Sequence, residues 1–105
     1  MCYNRNMKII KEKNNQQLIL FIEGELNSTN SSELEDVIKN DLDDVNNLIL
    51  DFAKLDYLSS AGLRVLLVAQ KIMSKKGQMT LRHVNQSVNE IFKLTGFSNI
   101  LNIED

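Results

Sequence analysis

The stretch that most constrains the fold of this chain runs from Asp51 to Gln70 and reads DFAKLDYLSSAGLRVLLVAQ. Two serines and a glycine separate two strongly apolar runs. An apolar run of strand length followed by one of helical length needs a turn between them. The stretch therefore predicts a buried strand that leads into a buried helix through a turn at Ser59 and Ser60.

Strand and helix patterns alternate along the rest of the chain. The runs MKIIKEK and QLILFIEGEL predict two adjacent strands that are joined near Asn14 and Asn15. In STNSSELEDVIKNDL the apolar residues then recur at helical spacing, and NNLILDF has the pattern of a strand buried on both faces. After the helix that follows the serines, GQMTLRHV predicts another strand, and a short helix follows that Gly96 stops.

The predicted order is strand, strand, helix, strand, helix, strand, helix, with a last turn and a short strand in FSNILNIED. Strands that alternate with helices need crossover connections, so the predicted fold class is α/β, with a mixed β-sheet packed against crossover helices. A chain of 105 residues has the length of a single domain. We assign residues 7–105 to this domain and residues 1–6 to a flexible N-terminal tail.

Composition argues against several classes of protein. The net charge is −2 and no basic stripe is present, which argues against direct nucleic-acid binding. No apolar run approaches the roughly 18 residues of a membrane span, and the N-terminus does not have the pattern of a secretory signal. One cysteine, Cys2, and one histidine do not make a zinc site. We expect a cytoplasmic protein without cofactor or metal, and we assign no role to Cys2.

An enzymatic interpretation starts from Ser60, Ala61 and Gly62, which match part of the nucleophile elbow G-x-S-x-G. Leu58 stands where the first glycine of that motif belongs. The only imidazole base is His83, at the end of a predicted strand, where a lone histidine is usually structural. The glycines are too far apart for a phosphate-binding loop. We therefore expect that the protein is not an enzyme.

The two serines have two further interpretations. Either can cap the helix, since serine is a preferred cap residue. A helix N-terminus also favours a phosphate through its free N–H groups and its dipole, and Arg64, four residues after Ser60, is spaced to reach back to it. The residues alone leave both roles open.

The segment LILDFAKLDYLSSAGLRVLLVAQ resembles the signature of STAS domains, specifically of the stand-alone bacterial anti-sigma factor antagonists. FIEGELNSTNSSEL is similar to the G-x-[LI]-D segment of that family where it enters its first helix. GQMTLRHVNQSVNEIFKLTGFSNILNIED is similar to the closing strand, helix, turn and C-terminal element. The resemblance covers about residues 7–105.

The resemblance implies a function by partner switching. The unphosphorylated protein would bind an anti-sigma factor that is also an ATP-dependent serine kinase, which frees a sigma factor and activates transcription. The kinase would then phosphorylate one serine of the antagonist and end the complex, and a PP2C-type phosphatase would reverse the modification. We expect a monomer or a weak dimer.

The family pattern D-S-[ST]-G-L-G, aligned on Gly62 and Leu63, places Ser60 at the phosphorylated position. Ser59 and Asn27 each stand where the family usually has aspartate, which makes Ser59 a second acceptor candidate but also the favoured cap. Two turns that follow strands are expected to form one partner-binding face. Its predicted residues are Gly24, Glu25, Asn27, Ser28, Tyr57, Leu58, Ser59, Ala61, Gly62, Leu63 and Arg64.

A second function fits the same resemblance. The chain can be a constitutive STAS adaptor subunit of a membrane complex that transports lipids or anions, with both serines as plain caps. The neutral Ser59 at the usual aspartate position favours this alternative, whereas the retained Ser60 and the stand-alone length favour the antagonist.

Overall fold

The computed structural model describes residues 7–104, so the predicted tail of residues 1–6, with Cys2, lies outside the described residues. Within residues 7–104, three helices and six strands form, together with a short 3₁₀ turn at Phe97–Asn99. Their bounds are β1 Met7–Asn14, β2 Gln17–Leu26, α1 Ser31–Asn40, β3 Asn47–Asp51, β4 Leu55–Leu58, α2 Ser60–Ser74, β5 Gln78–Arg82, α3 Gln86–Thr95 and β6 Asn102–Ile103.

The sheet is mixed, which confirms the predicted α/β class. Its main order is β1-β2-β3-β5-β6, with β1 antiparallel to β2 and the remaining neighbours parallel. The turn between β1 and β2 contains Asn15 at a φ of 58°, a left-handed conformation that asparagine tolerates well. The predicted turn near Asn14 and Asn15 is therefore confirmed.

All three helices lie on one face of the sheet. Each crossover connection leads to the next strand in the same direction, and right-handed connections of this kind place their helices on the same side. Side chains that alternate along β2 and β3, such as Leu20, Ile22 and Leu50, are fully buried against the helices. Residues on the other face, such as Ile19 and Ile49, are only half-buried. The prediction that β3 is buried on both faces was therefore wrong.

The structure adds a strand, β4, that the sequence patterns did not predict. β4 pairs in parallel with the last part of β2, beyond an irregularity between Gly24 and Glu25. Gly24 has a φ of 93°, which glycine adopts without strain, and its N–H donates to the carbonyl oxygen of Lys54 at 2.9 Å. At this bulge β2 changes its partner from β3 to β4.

Candidate phosphorylation and partner-binding site

The turn between β4 and α2 gives the two serines different roles. Ser59 is the N-cap, with an extended backbone, and its Oγ accepts a hydrogen bond from the N–H of Gly62 at 3.3 Å. This bond satisfies one of the backbone donors that the first turn of a helix leaves free. The prediction that Ser59 is the cap is confirmed.

Ser60 is the first residue of α2 and is exposed. Within residues 7–104 its hydroxyl makes no hydrogen bond, so its Oγ is not tied into the turn. An exposed hydroxyl beside a helix that another residue already caps is accessible to an enzyme that transfers a phosphate. Ser60 is therefore the better placed of the two candidate acceptors.

A second turn, between β2 and α1, is closed by side-chain amides. Asn27 Oδ1 accepts from the N–H of Thr29 at 2.9 Å and from that of Asn30 at 3.2 Å. The side chain of Asn30 binds back to the turn. Its Oδ1 accepts a hydrogen bond from the N–H of Asn27 at 2.9 Å, and its Nδ2 donates one to the carbonyl oxygen of Glu25 at 2.8 Å. Asparagine at position 27 thus supplies a side-chain oxygen acceptor where the family usually has aspartate.

The structure brings these two turns together. Glu25 pairs with Tyr57 and Leu26 with Leu58 in the parallel register of β2 and β4. The N–H of Ser59 donates to the carbonyl oxygen of Leu26 at 2.9 Å, which fixes the start of α2 beside the end of β2. The two predicted segments therefore form one continuous surface.

Gly62 allows this close approach. A Cβ added at Gly62 would lie 2.7 Å from Leu58 Cδ1 and 2.8 Å from Leu26 Cγ, far inside the contact distance of carbon atoms. The absence of a side chain lets the first turn of α2 rest directly on two fully buried leucines.

Three of the predicted partner-binding residues are not on the surface. Leu58 is 2% exposed, Leu63 is 6% exposed and Gly62 is also buried. Their side of the turn packs into the core because it faces the end of β2. This corrects the expectation that they contact a partner, since their role is to position the turn. The predicted residues that remain accessible, together with Ser60, form what we call the Ser60 surface: Gly24, Glu25, Asn27, Ser28, Tyr57, Ser59, Ser60, Ala61 and Arg64.

Arg64 does not bind Ser60 in this structure, contrary to the sequence-based expectation. Its Nη2 donates to Oε1 of Glu35 on α1 at 3.1 Å. Lys39 Nζ lies 3.2 Å from the other carboxylate oxygen of Glu35. The hydrogen bond from Arg64, and after it that from Lys39, lowers the pKa of Glu35 below its ordinary value. No pattern in the sequence pointed to Glu35, because its pairing with Arg64 depends on the packing of α1 against α2.

His83 is exposed and lies in a separate cluster around the buried Asp51. Its Nδ1 lies 3.1 Å from both carboxylate oxygens of Asp51, while Arg82 Nε donates to Asp51 Oδ2 at 2.8 Å. The imidazole is thus engaged with a carboxylate rather than with either serine, and the structural role of His83 stays a prediction. The sequence analysis did not single out Asp51, which is only 4% exposed. Its position at the end of the apolar run LILDF was a usable signal, because a buried carboxylate needs hydrogen-bond donors or cations beside it.

Two further findings concern residues 7–104. No group of three or more His, Cys, Asp and Glu side chains is arranged as metal ligands there. None of the helices in this part of the chain has both the length and the apolar character that crossing a membrane requires.

Comparison with known proteins identifies the family. The model of the STAS domain matches residues 8–105. The chain is 38% identical over 96 residues to BtrV of Bordetella bronchiseptica, which is named as a candidate anti-sigma factor antagonist. The match covers 90% of this chain and 83% of BtrV.

Solved structures show the same fold at lower sequence identity. An anti-sigma factor antagonist from Mycobacterium paratuberculosis superimposes with a TM-score of 0.86 at 17% identity, over 98% of this chain and 89% of its own. Unphosphorylated SpoIIAA, also an anti-sigma factor antagonist, gives a TM-score of 0.79 at 16% identity, over 93% and 89% of the two chains. With its mixed sheet and its helices on one face, this chain belongs to the STAS domain family, among the anti-sigma factor antagonists.

Proposed function

We propose that this protein binds an anti-sigma factor with serine kinase activity, thereby releases a sigma factor in the cytoplasm, and is switched off by phosphorylation of Ser60. The observation that carries the proposal is the division of roles at the start of α2. Ser59 caps the helix through Gly62, and Ser60 beside it is exposed. A phosphate on Ser60 therefore leaves the cap intact.

The relatives support this proposal. BtrV shares 38% identity with this chain and is named as a candidate anti-sigma factor antagonist. SpoIIAA, which shares the fold, has been solved in an unphosphorylated and in a phosphorylated form. A cycle of this kind needs a phosphatase as well as a kinase, and we propose a phosphatase of the PP2C type.

Physical chemistry explains how one phosphate can end binding without unfolding the domain. The phosphate adds about −1.5 to −2 charges at a helix N-terminus, where the dipole and the free N–H groups tolerate negative charge. Inside a desolvated interface the same charge makes the free energy of binding less favourable by several kcal/mol, because the hydration of the phosphate is lost. The modification thus acts on the complex and leaves the fold in place.

Partner titration with two variants tests this switch. Ser60→Ala should fold, bind the anti-sigma factor and resist release in the presence of ATP. Ser60→Asp should fold equally well but bind at least about tenfold more weakly, a loss of ~1.4 kcal/mol. Isothermal titration gives both affinities, and thermal unfolding curves confirm that both variants are folded.

Mapping of the phosphate in the wild-type protein completes this test. The chain is incubated with the kinase and ATP, and the modified serine is located by fragmentation mass spectrometry. Modification of Ser59 alone, or equal partner affinity of the two folded variants, would refute the proposed switch.

The adaptor of a membrane transport complex remains the second candidate, favoured by the neutral residues Asn27 and Ser59 at the two usual aspartate positions. An adaptor of this kind binds its complex constitutively, so Ser60→Asp should not release it. Affinity capture of wild-type and Ser60→Asp protein from native cells separates the two functions. Recovery of transporter subunits by both forms favours the adaptor, and loss of a kinase-like anti-sigma factor from the Asp form favours the antagonist.

A further inference from the structure

Helical spacing places Arg64 on the same side of α2 as Ser60, although its guanidinium binds Glu35 in the unmodified protein. Residues four apart on a helix lie on the same side, with Cβ atoms about 5–6 Å apart. Long side chains on a helix also point back toward its N-terminus. The guanidinium of Arg64 nevertheless donates to Glu35 Oε1 at 3.1 Å, across the contact between α1 and α2.

This ion pair is easily exchanged. The side chain of Arg64 is 59% exposed, and exposed ion pairs contribute little to stability. Glu35 also has Lys39 as a second cationic partner, at 3.2 Å from its other carboxylate oxygen. If Arg64 leaves, Glu35 keeps one positive neighbour and stays in contact with water. The unmodified structure therefore opposes the departure of Arg64 only weakly.

We propose that Arg64 is the intramolecular ligand of a phosphate on Ser60, and that its guanidinium leaves Glu35 for the phosphate oxygens when Ser60 is modified. This inference rests on the proposed function, from which it takes Ser60 as the modified residue. A phosphate offers more charge than a carboxylate and three acceptor oxygens. Guanidinium binds phosphate through two parallel hydrogen bonds, whereas Glu35 receives a single bond from Arg64.

The exchange extends the effect of the modification beyond one residue. The only ion pair that joins α1 to α2 within residues 7–104 is the one between Glu35 and Arg64. Its loss frees one carboxylate oxygen of Glu35 and turns an exposed cation of the Ser60 surface toward the phosphate. A partner that binds this surface thus meets a new phosphate and loses access to Arg64.

The full chain with phosphoserine incorporated at position 60 during translation tests the exchange without any kinase. Carbon-13 NMR follows the titration of the Glu35 carboxyl group in the modified and the unmodified protein. Arg64 is the main cause of the lowered pKa of Glu35. We therefore expect the acid dissociation constant of Glu35 to fall roughly threefold or more on modification, a change of the size expected for one exposed ion pair.

Two variants of the phosphorylated protein distinguish the exchange from a direct effect of the phosphate charge on Glu35. In Arg64→Gln the shift of Glu35 should be much smaller, and phosphorus-31 NMR should show a higher second pKa of the phosphate. In Lys39→Gln, which removes the other partner of Glu35, the shift should persist. A shift of equal size in wild-type and Arg64→Gln protein, or no shift in the wild type, overturns the proposal.

Failure of the Arg64 exchange and failure of the proposed function give different results in this experiment. Because the phosphoserine is installed without a kinase, an unchanged Glu35 titration overturns the exchange of Arg64 and leaves the switch at Ser60 standing. A kinase that does not modify Ser60 overturns the proposed function, whereas the ligand of an installed phosphate is still measured.

Discussion

At the scale of single residues, Ser59 and Ser60 are neighbours with opposite surroundings. The Oγ of Ser59 is committed to the N–H of Gly62, and Ser60 lies on the outside of the first helical turn. Gly62 completes the arrangement, since any side chain there would collide with Leu26 and Leu58. The exposure of Ser60 thus accompanies two neighbours, Ser59 and Gly62, that fix the first turn of α2.

Substitution of the two serines by alanine separates the cap from the modification site. Ser59→Ala should lower the free energy of unfolding by about 1 kcal/mol, because a helix cap is lost. Ser60→Ala should change it by less than about 0.5 kcal/mol, the range of an ordinary surface substitution. Urea unfolding of both variants provides the measurement. A larger loss in Ser60→Ala than in Ser59→Ala would contradict the assignment of the cap.

At the scale of secondary-structure elements, Asp51 joins the end of β3 to the end of β5. Its carboxylate accepts from Arg82 Nε at 2.8 Å and from the N–H of Ala53 at 2.9 Å, and it contacts His83. Burial pushes the pKa of Asp51 upward, but the bonds from Arg82, Ala53 and His83 outweigh it and hold the pKa below 3.8, the ordinary value for aspartate.

This lowered pKa predicts a pH-dependent stability. A carboxyl group whose pKa is lower in the folded state stabilises the fold above its unfolded pKa, and this contribution is lost as the pH falls through the folded pKa. Asp51→Asn should therefore cost on the order of 1–3 kcal/mol at pH 7, and the cost should shrink below about pH 3.8. Urea unfolding of both proteins between pH 7 and pH 3 measures this difference.

The exposed Asp43 provides a matched control for this prediction. Asp43→Asn removes the same charge from the loop between α1 and β3, where the carboxylate makes no hydrogen bond to another described residue. Its free energy of unfolding should stay close to that of the wild type across the range. If the cost of Asp51→Asn were the same at pH 3 as at pH 7, the carboxylate would not be the stabilising group.

At the scale of the whole molecule, the parallel arrangement of β2 and β4 determines where the Ser60 surface lies. Strands that run parallel end at the same edge of a sheet, so the turns into α1 and α2 meet there. Tyr57, at the end of β4, is 50% exposed within this surface. Leu94 is also a large exposed apolar residue, at 87%, but lies near the end of α3 and outside it.

These two residues test the position of the partner interface. Tyr57→Ala should weaken binding of the anti-sigma factor at least about fivefold (~1 kcal/mol), because exposed tyrosines are frequent anchors of interfaces. Leu94→Ala should bind like the wild type. Surface plasmon resonance gives the affinities, and melting temperatures close to that of the wild type show that both variants fold. Normal binding by Tyr57→Ala together with lost binding by Leu94→Ala would place the interface elsewhere.

Local patterns in the sequence were sufficient for most of the elements and for the helix cap at Ser59. The helix that begins at the serines, the cap at Ser59 and the turn near Asn14 all depend on neighbours within about four residues, and all were confirmed. The family register that selects Ser60 is equally local. Capping, turn chemistry and helical periodicity act over such short separations, which is why the sequence displays them.

Tertiary structure decided the features that depend on distant partners. β4 has only four residues, two of them exposed, and forms because β2 offers a free pairing edge beyond the bulge at Gly24. Leu58 and Leu63 turn inward because Leu26 and the core lie beneath them. Arg64 binds Glu35, 29 positions away. Pairing, burial and ion-pair choice depend on what the fold brings close, and no short-range pattern in the chain encodes that proximity.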